Sequence, residues 1–322
     1  MTTSLVAAGF GAGLCLAAIG LGGSAAATPV ANRAWVSGHG VDQAGCGAPV
    51  APCRSLQYAH DSIVIAGGEI DILDPAGYGS VTITKAISIV NDGVGTAGVQ
   101  ASSGNAITIN AGPNDIVVLR GLNVDGVQHA GIDGMRFNSG ASLSIQNCVV
   151  QHFNGNGVEI QVQTGATSVS ITDTIVSGNT AFGIIANPVG SATLSLVFDR
   201  VTAQANLTGL AIAAQGTTSA SVTLTNSLFT GNQAIGVALD APTGTLLATV
   251  DQITSSQNGD DGLKSTSGVV NLSRSVLSQN ATYGIETSNT PSPTSGVFSA
   301  RNNLVVGNGS NVSGTLGTAP LM

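Results

Sequence analysis

The stretch VSITDTIVSGNTAFGII, residues 169–185, is one copy of a repeat that fills the second half of the chain. Related copies are LSIQNCVVQHFNGNGVEI (143–160), LVFDRVTAQANLTGLAI (196–212), VTLTNSLFTGNQAIGVAL (222–239), ATVDQITSSQNGDDGLKS (248–265) and VNLSRSVLSQNATYGIET (270–287). Internal repeats of roughly 20–50 residues are typical of solenoids and related arrays, so this repeat decides the fold.

Three columns of equivalent residues mark the copies. The aliphatic column comprises Val149, Ile175, Val201, Leu228, Ile253, Val276 and Leu304. The asparagine column comprises Asn154, Asn179, Asn206, Asn232, Asn258, Asn280 and Asn308. The glycine column comprises Gly157, Gly183, Gly209, Gly236, Gly262 and Gly284. Asparagine tolerates a left-handed backbone and bonds its neighbours at tight turns, so we expect the asparagines to be structural turn residues.

Apolar and polar residues alternate between these marks, as at Val158, Ile160 and Val162. A period of two indicates strands, and a repeat of this length has no room for a helix. Equivalent residues would stack about 4.8 Å apart with the aliphatic columns inside. The crossover preference makes the coil right-handed. We therefore predict an all-β fold, a right-handed parallel β-helix (solenoid) spanning residues 81–322.

The beginning of the chain has a different pattern. The stretch SLQYAHDSIVIAGG starts at Ser55, a suitable N-cap, and has helical spacing at Leu56, Ala59 and Ile63. End turns of a solenoid need a cover. We expect residues 28–80 to form an N-terminal cap with one short helix and the first strands.

This opening also resembles a known superfamily. The motifs GGEI (67–70), DPAGY (74–78) and VTITKAISI (81–89) look like the first turns of pectin-lyase-like right-handed β-helix proteins. From Trp35 through PCRSLQYAH to Lys85, the sequence resembles a group of secreted bacterial β-helix repeat proteins in that superfamily. The resemblance implies the architecture of the mature chain, whereas its motifs imply no particular chemistry.

Composition and charge point to export. Residues 5–21 are apolar and residues 1–27 carry no charge, with Ala25 and Ala27 in an A-x-A cleavage pattern, which predicts a secretory signal peptide. A membrane anchor is the alternative. The formal net charge of −8 disfavours nucleic acid and anionic membranes as partners. In an exported chain, Cys46 and Cys53 are predicted to form a disulfide. We expect a secreted, periplasmic or cell-surface protein.

Asp260 and Asp261 stand out because charged residues make up only 8% of the chain. Polygalacturonases, which share the predicted fold, gather carboxylates from adjacent turns around the scissile bond as general acid and base. The neighbouring turns of this chain supply no third carboxylate, histidine or Arg-x-Lys beside the pair. We interpret the pair as a solvated turn tip and keep catalysis as the alternative.

A further column lies two residues before the aliphatic one. It comprises Asn147, Asp173, Asp199, Asn226, Asp251, Arg274 and Asn302. We interpret it as a turn position that accepts Asx residues. The alternative is a cation-bridged ladder in which Asp173 and Asp199 bind calcium. No metal and no other cofactor are predicted.

Other motifs lack the context that their chemistry requires. The stretch GVGTAG (93–98) has the spacing of a phosphate-binding loop, but a strand pattern follows it instead of a helix. His60, His129 and His152 lie on different elements without ligand spacing. The Arg-x-Pro-x-x-Arg stretch of pectate lyases is absent.

Two classes of function are consistent with these patterns. The favoured class is a non-catalytic, secreted or surface-exposed β-helix that binds a carbohydrate or another surface protein, or has a structural role. The alternative is a polysaccharide lyase or glycoside hydrolase. Sugar-degrading clefts usually stack sugar rings on aromatic side chains, and aromatics make up only 3% of this chain. The sequence contains no complete polygalacturonase or pectate lyase catalytic set, which also favours the first class.

Overall fold

A computed structural model of the protein describes residues 30–288, 290–292 and 295–319. The predicted signal peptide lies outside these residues. Three parallel sheets, named A, B and C here, wind along one axis, and each turn contributes a strand to A, then B, then C. The fold is the predicted right-handed parallel β-helix.

The strands of each sheet are given in order along the solenoid. Sheet A contains Ala31–Val36, Val64–Ile72, Ile87–Val90, Ile116–Arg120, Ser142–Gln146, Ala166–Thr172, Thr193–Asp199, Ser219–Thr225, Thr245–Asp251, Val269–Ser273, Gly296–Ser299 and Gly317–Thr318. Sheet B contains Ala76–Gly77, Ala97–Gln100, Leu122–Asp125, Val149–Gln151, Ile175–Ser177, Thr202–Gln204, Leu228–Thr230, Thr254–Ser256, Val276–Ser278 and Leu304–Val306. Sheet C contains Val81–Ile83, Ile107–Asn110, Met135–Ser139, Val158–Ile160, Phe182–Ala186, Thr208–Ala213, Val237–Asp240, Leu263–Ser265, Tyr283–Thr287 and Ser310–Ser313.

The interior is filled by every second side chain of each strand. In Ser219–Thr225, for example, Ala220, Val222 and Leu224 are buried while their neighbours face solvent or the sheet margin. The same positions stack from turn to turn, which produces one continuous apolar core along the axis. Burial of these stacked columns is the main favourable contribution to folding.

Five of the seven residues of the aliphatic column do not lie inside, whereas Val201 and Ile253 are buried. Register pairing aligns Val149, Ile175, Leu228, Val276 and Leu304, and these side chains point outward. Ile175 is 42% exposed and Leu304 is 55% exposed. The interior positions of sheet B belong to the next residue of each turn: Val150, Val176, Ala203, Phe229, Ser255 and Leu277. A shift of one residue reverses the face that a strand residue occupies, so the expectation was wrong for the five aligned residues. It was right for Val201 and Ile253, which lie one position before the aligned residues.

Six members of the asparagine column form a ladder at the corner between sheets B and C: Asn179, Asn206, Asn232, Asn258, Asn280 and Asn308. The Oδ1 of Asn232 accepts hydrogen bonds from the backbone N–H of Asn206 (3.1 Å) and from its Nδ2 (3.3 Å). Asn232 Nδ2 in turn donates to Asn258 Oδ1 at 3.0 Å. The first five ladder residues are buried, so these amides satisfy one another away from water.

Two details of the ladder differ from the expectation. The residue in the left-handed conformation is the one before the asparagine, such as Gly178 (φ 64°), whereas the ladder asparagines have no positive φ. Asn154 lies one residue beyond the ladder position and is exposed, because Phe153 occupies that position. The buried phenyl ring of Phe153 therefore ends the ladder on its N-terminal side.

The glycine column allows close contact with this ladder. A Cβ on Gly209 would lie 2.6 Å from the carbonyl oxygen of Gly236 and 3.0 Å from Asn232 Nδ2. Any side chain there would displace the amide ladder, so the ladder of asparagines requires the glycines of the repeat beside it.

The N-terminal cap closes one end of the solenoid. A short helix, Leu56–Tyr58, continues as a π-helical turn, Ala59–Ile63, and the hydroxyl of Ser55 accepts a hydrogen bond from the Tyr58 N–H as predicted. Cys46 and Cys53 form the predicted disulfide. Sheets A and B already include Val64–Ile72 and Ala76–Gly77, so the solenoid begins before residue 81.

Candidate functional site

The structure separates the environments of Asp260 and Asp261. Asp260 is partly exposed, but Asp261 is only 1% exposed and its Oδ1 accepts a hydrogen bond from the Tyr283 N–H at 3.1 Å. The interpretation of both residues as a solvated turn tip was therefore wrong for Asp261. Its side chain turns inward because the backbone of the next turn offers an amide donor.

Asp261 belongs to a cluster with Lys264 and Glu286. Its carboxyl group hydrogen-bonds Glu286, and the Lys264 Nζ lies 2.5 Å from Glu286 Oε2. Burial, the bond to Glu286 and the charge of Asp260 raise the pKa of Asp261 to about 7. Glu286 has a lowered pKa despite its burial, because Lys264 and Asp261 both stabilise its charged form.

An equivalent cluster lies five turns earlier on sheet C. Asp133 and Arg136 occupy the register positions of Asp261 and Lys264, and Glu159 occupies that of Glu286. Arg136 Nη1 lies 3.0 Å from Glu159 Oε2 and 3.4 Å from Asp133 Oδ2. Burial and the nearby Asp133 raise the pKa of Glu159. Because the arrangement occurs twice, it is best explained as a way of joining adjacent turns.

Asp173 and Asp199 do not stack on each other. Register pairing aligns Asp173 with Arg200, while Asp199 lies one position earlier. Arg200 donates to Asp173 Oδ1 from Nε (2.6 Å) and to Oδ2 from Nη2 (2.9 Å), and its Nη1 donates to Asp199. A guanidinium ion thus bridges the two carboxylates. Among the described residues, no group of three or more His, Cys, Asp or Glu is arranged to hold a metal ion.

A different site appears where sheet B passes into sheet C. Here Gln100, Asp125, Val127, Gln128, His129 and His152 line an open groove of about 540 Å³. We call it the histidine groove. Its two histidines come from adjacent turns, and their ring centroids are 6.0 Å apart in an edge-to-face arrangement. Because they are distant in sequence, only the solenoid register brings them together.

A left-handed turn positions His129. Val127, Gln128 and His129 have φ values of 48°, 59° and 65°, and the Ala130 N–H donates to the Gly126 carbonyl at 2.9 Å. Consecutive left-handed residues other than glycine are rare, and each costs about 1–2 kcal/mol. Such strain persists only where surrounding contacts fix the backbone, and it is concentrated at functional sites.

Asp125 anchors both sides of the histidine groove. Its Oδ1 accepts from the Val127 N–H at 2.7 Å, which supports the strained turn. Its Oδ2 accepts from Gln151 Nε2 at 2.9 Å and lies 3.2 Å from His152 Nδ1. Burial opposes ionisation of Asp125, but these hydrogen bonds outweigh it and lower the pKa of the carboxyl group.

Both imidazoles are held by Nδ1. His129 Nδ1 lies 3.1 Å from the Phe153 carbonyl oxygen, and His152 Nδ1 faces the Asp125 carboxylate. These oxygens only accept, so a neutral ring carries its proton on Nδ1 and leaves Nε2 as an acceptor. The groove therefore offers two imidazole acceptors, two glutamine side chains and one fixed carboxylate, a set suited to hydroxyl groups or to acid–base chemistry.

The histidine groove was not predicted, because His129 and His152 have no ligand spacing along the chain. A sequence signal does exist: GVQHAG (126–131) lengthens one corner of the repeat, and His152 begins the same corner of the following turn. His39, flanked by Gly38 and Gly40, lies in the N-terminal cap, where Gly38 N donates to Asp74 Oδ1.

A comparison with a solved pectate lyase structure supports the fold. The structure is similar to that of pectate lyase Pel9A, with a TM-score of 0.61 and 14% identity over 89% of this chain and 79% of the lyase. It is also similar to the A-module of the Azotobacter vinelandii mannuronan C-5 epimerase AlgE6, with a TM-score of 0.47 and 15% identity over 79% of this chain and 92% of that module. No protein-family model and no curated protein sequence matches the chain.

Identities this low establish a shared fold and no shared activity. The name of Pel9A states that it is a lyase of pectate, a polysaccharide, and its structure shares the parallel β-helix described above.

Among the residues that the structure describes, no helix has the length and apolar character needed to cross a bilayer.

Proposed function

We propose that this protein is an extracellular polysaccharide-binding β-helix and that the glycan occupies the histidine groove. The proposal depends on one observation: Asp125, His129 and His152 are assembled in a concave site around a strained left-handed turn. The disulfide in the cap suits an oxidising, extracellular location. The fold of a polysaccharide-degrading enzyme is consistent with a glycan as the ligand.

The groove chemistry fits sugar hydroxyls. Imidazole Nε2 atoms and glutamine amides accept or donate single hydrogen bonds, and a rigid solenoid holds them without loss of backbone freedom on binding. The arginines on the same turn as Asp125, Arg120 and Arg136, are paired with acids of the protein. A neutral or weakly acidic glycan is therefore a better ligand than a highly charged one.

Acid–base catalysis in the same groove is the second candidate. It is favoured by the contact between Asp125 and His152, because a carboxylate that holds the Nδ1 proton fixes the tautomer in which Nε2 can accept a proton. A single experiment separates binding from catalysis, since catalysis requires product release and binding does not.

The test is a panel of purified polysaccharides, assayed for binding by the mature protein and for release of soluble products. Alanine at His152 is well suited to this test, because Ala205 already occupies the equivalent corner with φ 54°. The matched control is Gln257→Ala at the same corner of a later turn (φ 56°).

We expect the wild type and Gln257→Ala to bind a glycan equally. His129→Ala with His152→Ala should weaken that binding by about tenfold or more, which is the loss of about 1.4 kcal/mol or more. If the wild type releases soluble products and the double variant does not, the function of the groove is catalysis and not binding alone. No binding to any polysaccharide, or equal binding by the double variant, would contradict the proposal.

A further inference from the structure

Both imidazoles of the histidine groove can take up a proton without losing a contact. His129 Nδ1 lies 3.1 Å from the Phe153 carbonyl oxygen, and His152 Nδ1 lies 3.2 Å from Asp125 Oδ2. These oxygens accept a hydrogen from Nδ1 in the neutral ring and in the imidazolium ion alike. Protonation therefore changes only Nε2, which becomes a donor instead of an acceptor.

The Nε2 atoms are also the ring atoms that a ligand can reach. Among the described residues, no side chain or backbone group hydrogen-bonds either Nε2. The His152 side chain is 48% exposed, and His129 is exposed as well. A Cβ on Gly178 would lie 3.6 Å from His152 Nε2, so the glycine keeps the corner beside this atom open. A ligand in the groove thus meets the two atoms whose character depends on pH.

Few other charges face these two rings. The strands and corners that meet at the groove are residues 97–106, 122–133, 149–157 and 175–181. Apart from the histidines, their only titratable side chains are Asp125 and Asp133. Asp133 is buried, accepts from the Asn156 N–H at 2.8 Å and lies 3.4 Å from Arg136 Nη1, so its charge is already balanced. Asp125 is therefore the one acid that lines the groove.

The charge of the groove consequently changes sign with pH. With both rings neutral, the groove carries the single negative charge of Asp125. With both rings protonated, two positive charges oppose that one negative charge. Imidazole side chains gain their charge between about pH 8 and pH 5. The two ring centroids are only 6.0 Å apart, so one small anionic group can approach both rings.

We propose that acidification converts the histidine groove from a site for hydroxyl groups into a site for an anionic group, a carboxylate or sulfate ester carried by a sugar. Two Nε2–H donors on charged rings form charge-assisted hydrogen bonds with such a group. Near pH 8 the same atoms accept from hydroxyls, and Asp125 repels anions. The sugar as carrier rests on the proposed function, whereas the change of charge does not, so inorganic sulfate alone can test it.

The experiment measures binding of labelled inorganic sulfate to the full mature protein by equilibrium dialysis at pH 5.5 and pH 7.5, at constant ionic strength. Sulfate keeps its charge over this range, so a pH effect arises from the protein. The test variant is His129→Gln with His152→Gln, because Gln128 and Gln257 already adopt the same left-handed conformation. The control is His39→Gln, which removes an exposed histidine of the cap. Circular dichroism checks that each variant is folded.

We expect the wild type and His39→Gln to bind sulfate about tenfold or more tightly at pH 5.5 than at pH 7.5. The double variant should bind weakly at both pH values. By thermodynamic linkage, sulfate should also keep both rings protonated to higher pH, which nuclear magnetic resonance of the ring protons measures. Equal sulfate affinity of the wild type at the two pH values overturns the inference, as does a pH dependence that persists in the double variant.

Sugar probes separate this inference from the proposed function. Glucuronate and glucose 6-sulfate should show the pH dependence of sulfate, and whichever binds more tightly identifies the anionic group, whereas glucose should not show it. If neither acidic sugar binds at pH 5.5, the groove is no site for acidic sugars and the inference is wrong. Sulfate binding that depends on pH, without binding of any polysaccharide, would contradict the proposed function alone. Polysaccharide binding without an effect of pH on sulfate would contradict only the inference.

Discussion

The carboxyl group of Asp261 hydrogen-bonds the carboxyl group of Glu286 on the adjacent turn of the solenoid. Two carboxylates make such a bond only when one of them keeps its proton. Glu286 is held in its charged form by Lys264, at 2.5 Å, so the proton belongs to Asp261. This arrangement makes the stability of the solenoid depend on pH near neutrality.

Asp261→Asn should remove that dependence. Because the folded state raises the pKa of Asp261 to about 7, the stability from its protonated form is present at low pH and is lost as the pH rises through about 7. Asparagine resembles the protonated acid at every pH. We expect the variant to melt about 2 °C or more above the wild type at pH 8, and to match it near pH 4. A variant that is less stable at pH 8 would contradict this assignment.

Asn232→Ala should test the amide ladder. The substitution removes the acceptor for the backbone N–H and the Nδ2 of Asn206, leaving buried donors unpaired. We expect the free energy of unfolding to fall by about 2–4 kcal/mol. The control is Asn154→Ala, which lies outside the ladder and should change stability by no more than about 0.5 kcal/mol. Equal losses of unfolding free energy in Asn232→Ala and Asn154→Ala, measured by chemical denaturation, would show that the ladder has no special role.

Calcium should not stabilise the wild type through Asp173 and Asp199, because Arg200 already neutralises both carboxylates. Arg200 also lowers the pKa of Asp173 through its hydrogen bonds. We expect thermal melts of the wild type to coincide in calcium and in chelator. Arg200→Ala leaves the acids uncompensated, and its melting temperature should rise with calcium. A calcium-dependent rise in the wild type that Asp173→Asn with Asp199→Asn abolishes would restore the metal interpretation.

Acidification should loosen the N-terminal cap through His60. The ring is buried, its Nδ1 lies 2.6 Å from Asp61 Oδ1, and its Nε2 accepts from the Thr84 N–H at 3.2 Å. Burial lowers the pKa of His60, so the stability it contributes is present above pH 6.5 and is lost as the pH falls through the lowered value.

Hydrogen exchange at residues 56–63 measures this loss of stability. We expect faster exchange there at pH 5 than at pH 7, after correction for intrinsic rates, while the central turns remain protected. His60→Gln retains hydrogen-bonding capacity but cannot gain a charge, so it should remove the pH dependence. An unchanged acid response in that variant would assign the effect to another group.

The sequence by itself determined the class of fold. The repeated strand–turn pattern, the asparagines and glycines and the helical spacing after Ser55 are local signals, and each is set by backbone preferences within a few residues. The disulfide between Cys46 and Cys53 was predictable for the same reason, because a short loop joins the two residues.

Only the tertiary structure decided register and burial. A shift of one residue turned Ile175 outward, replaced Asn154 with Phe153 in the ladder column, and aligned Arg200 instead of Asp199 with Asp173. The tertiary structure also buries Asp261 and brings His129 next to His152 on the adjacent turn. The physical reason is that strand side chains alternate every residue while the repeat varies in length. Which side chains meet therefore depends on hydrogen-bonded register between turns, which no single segment encodes.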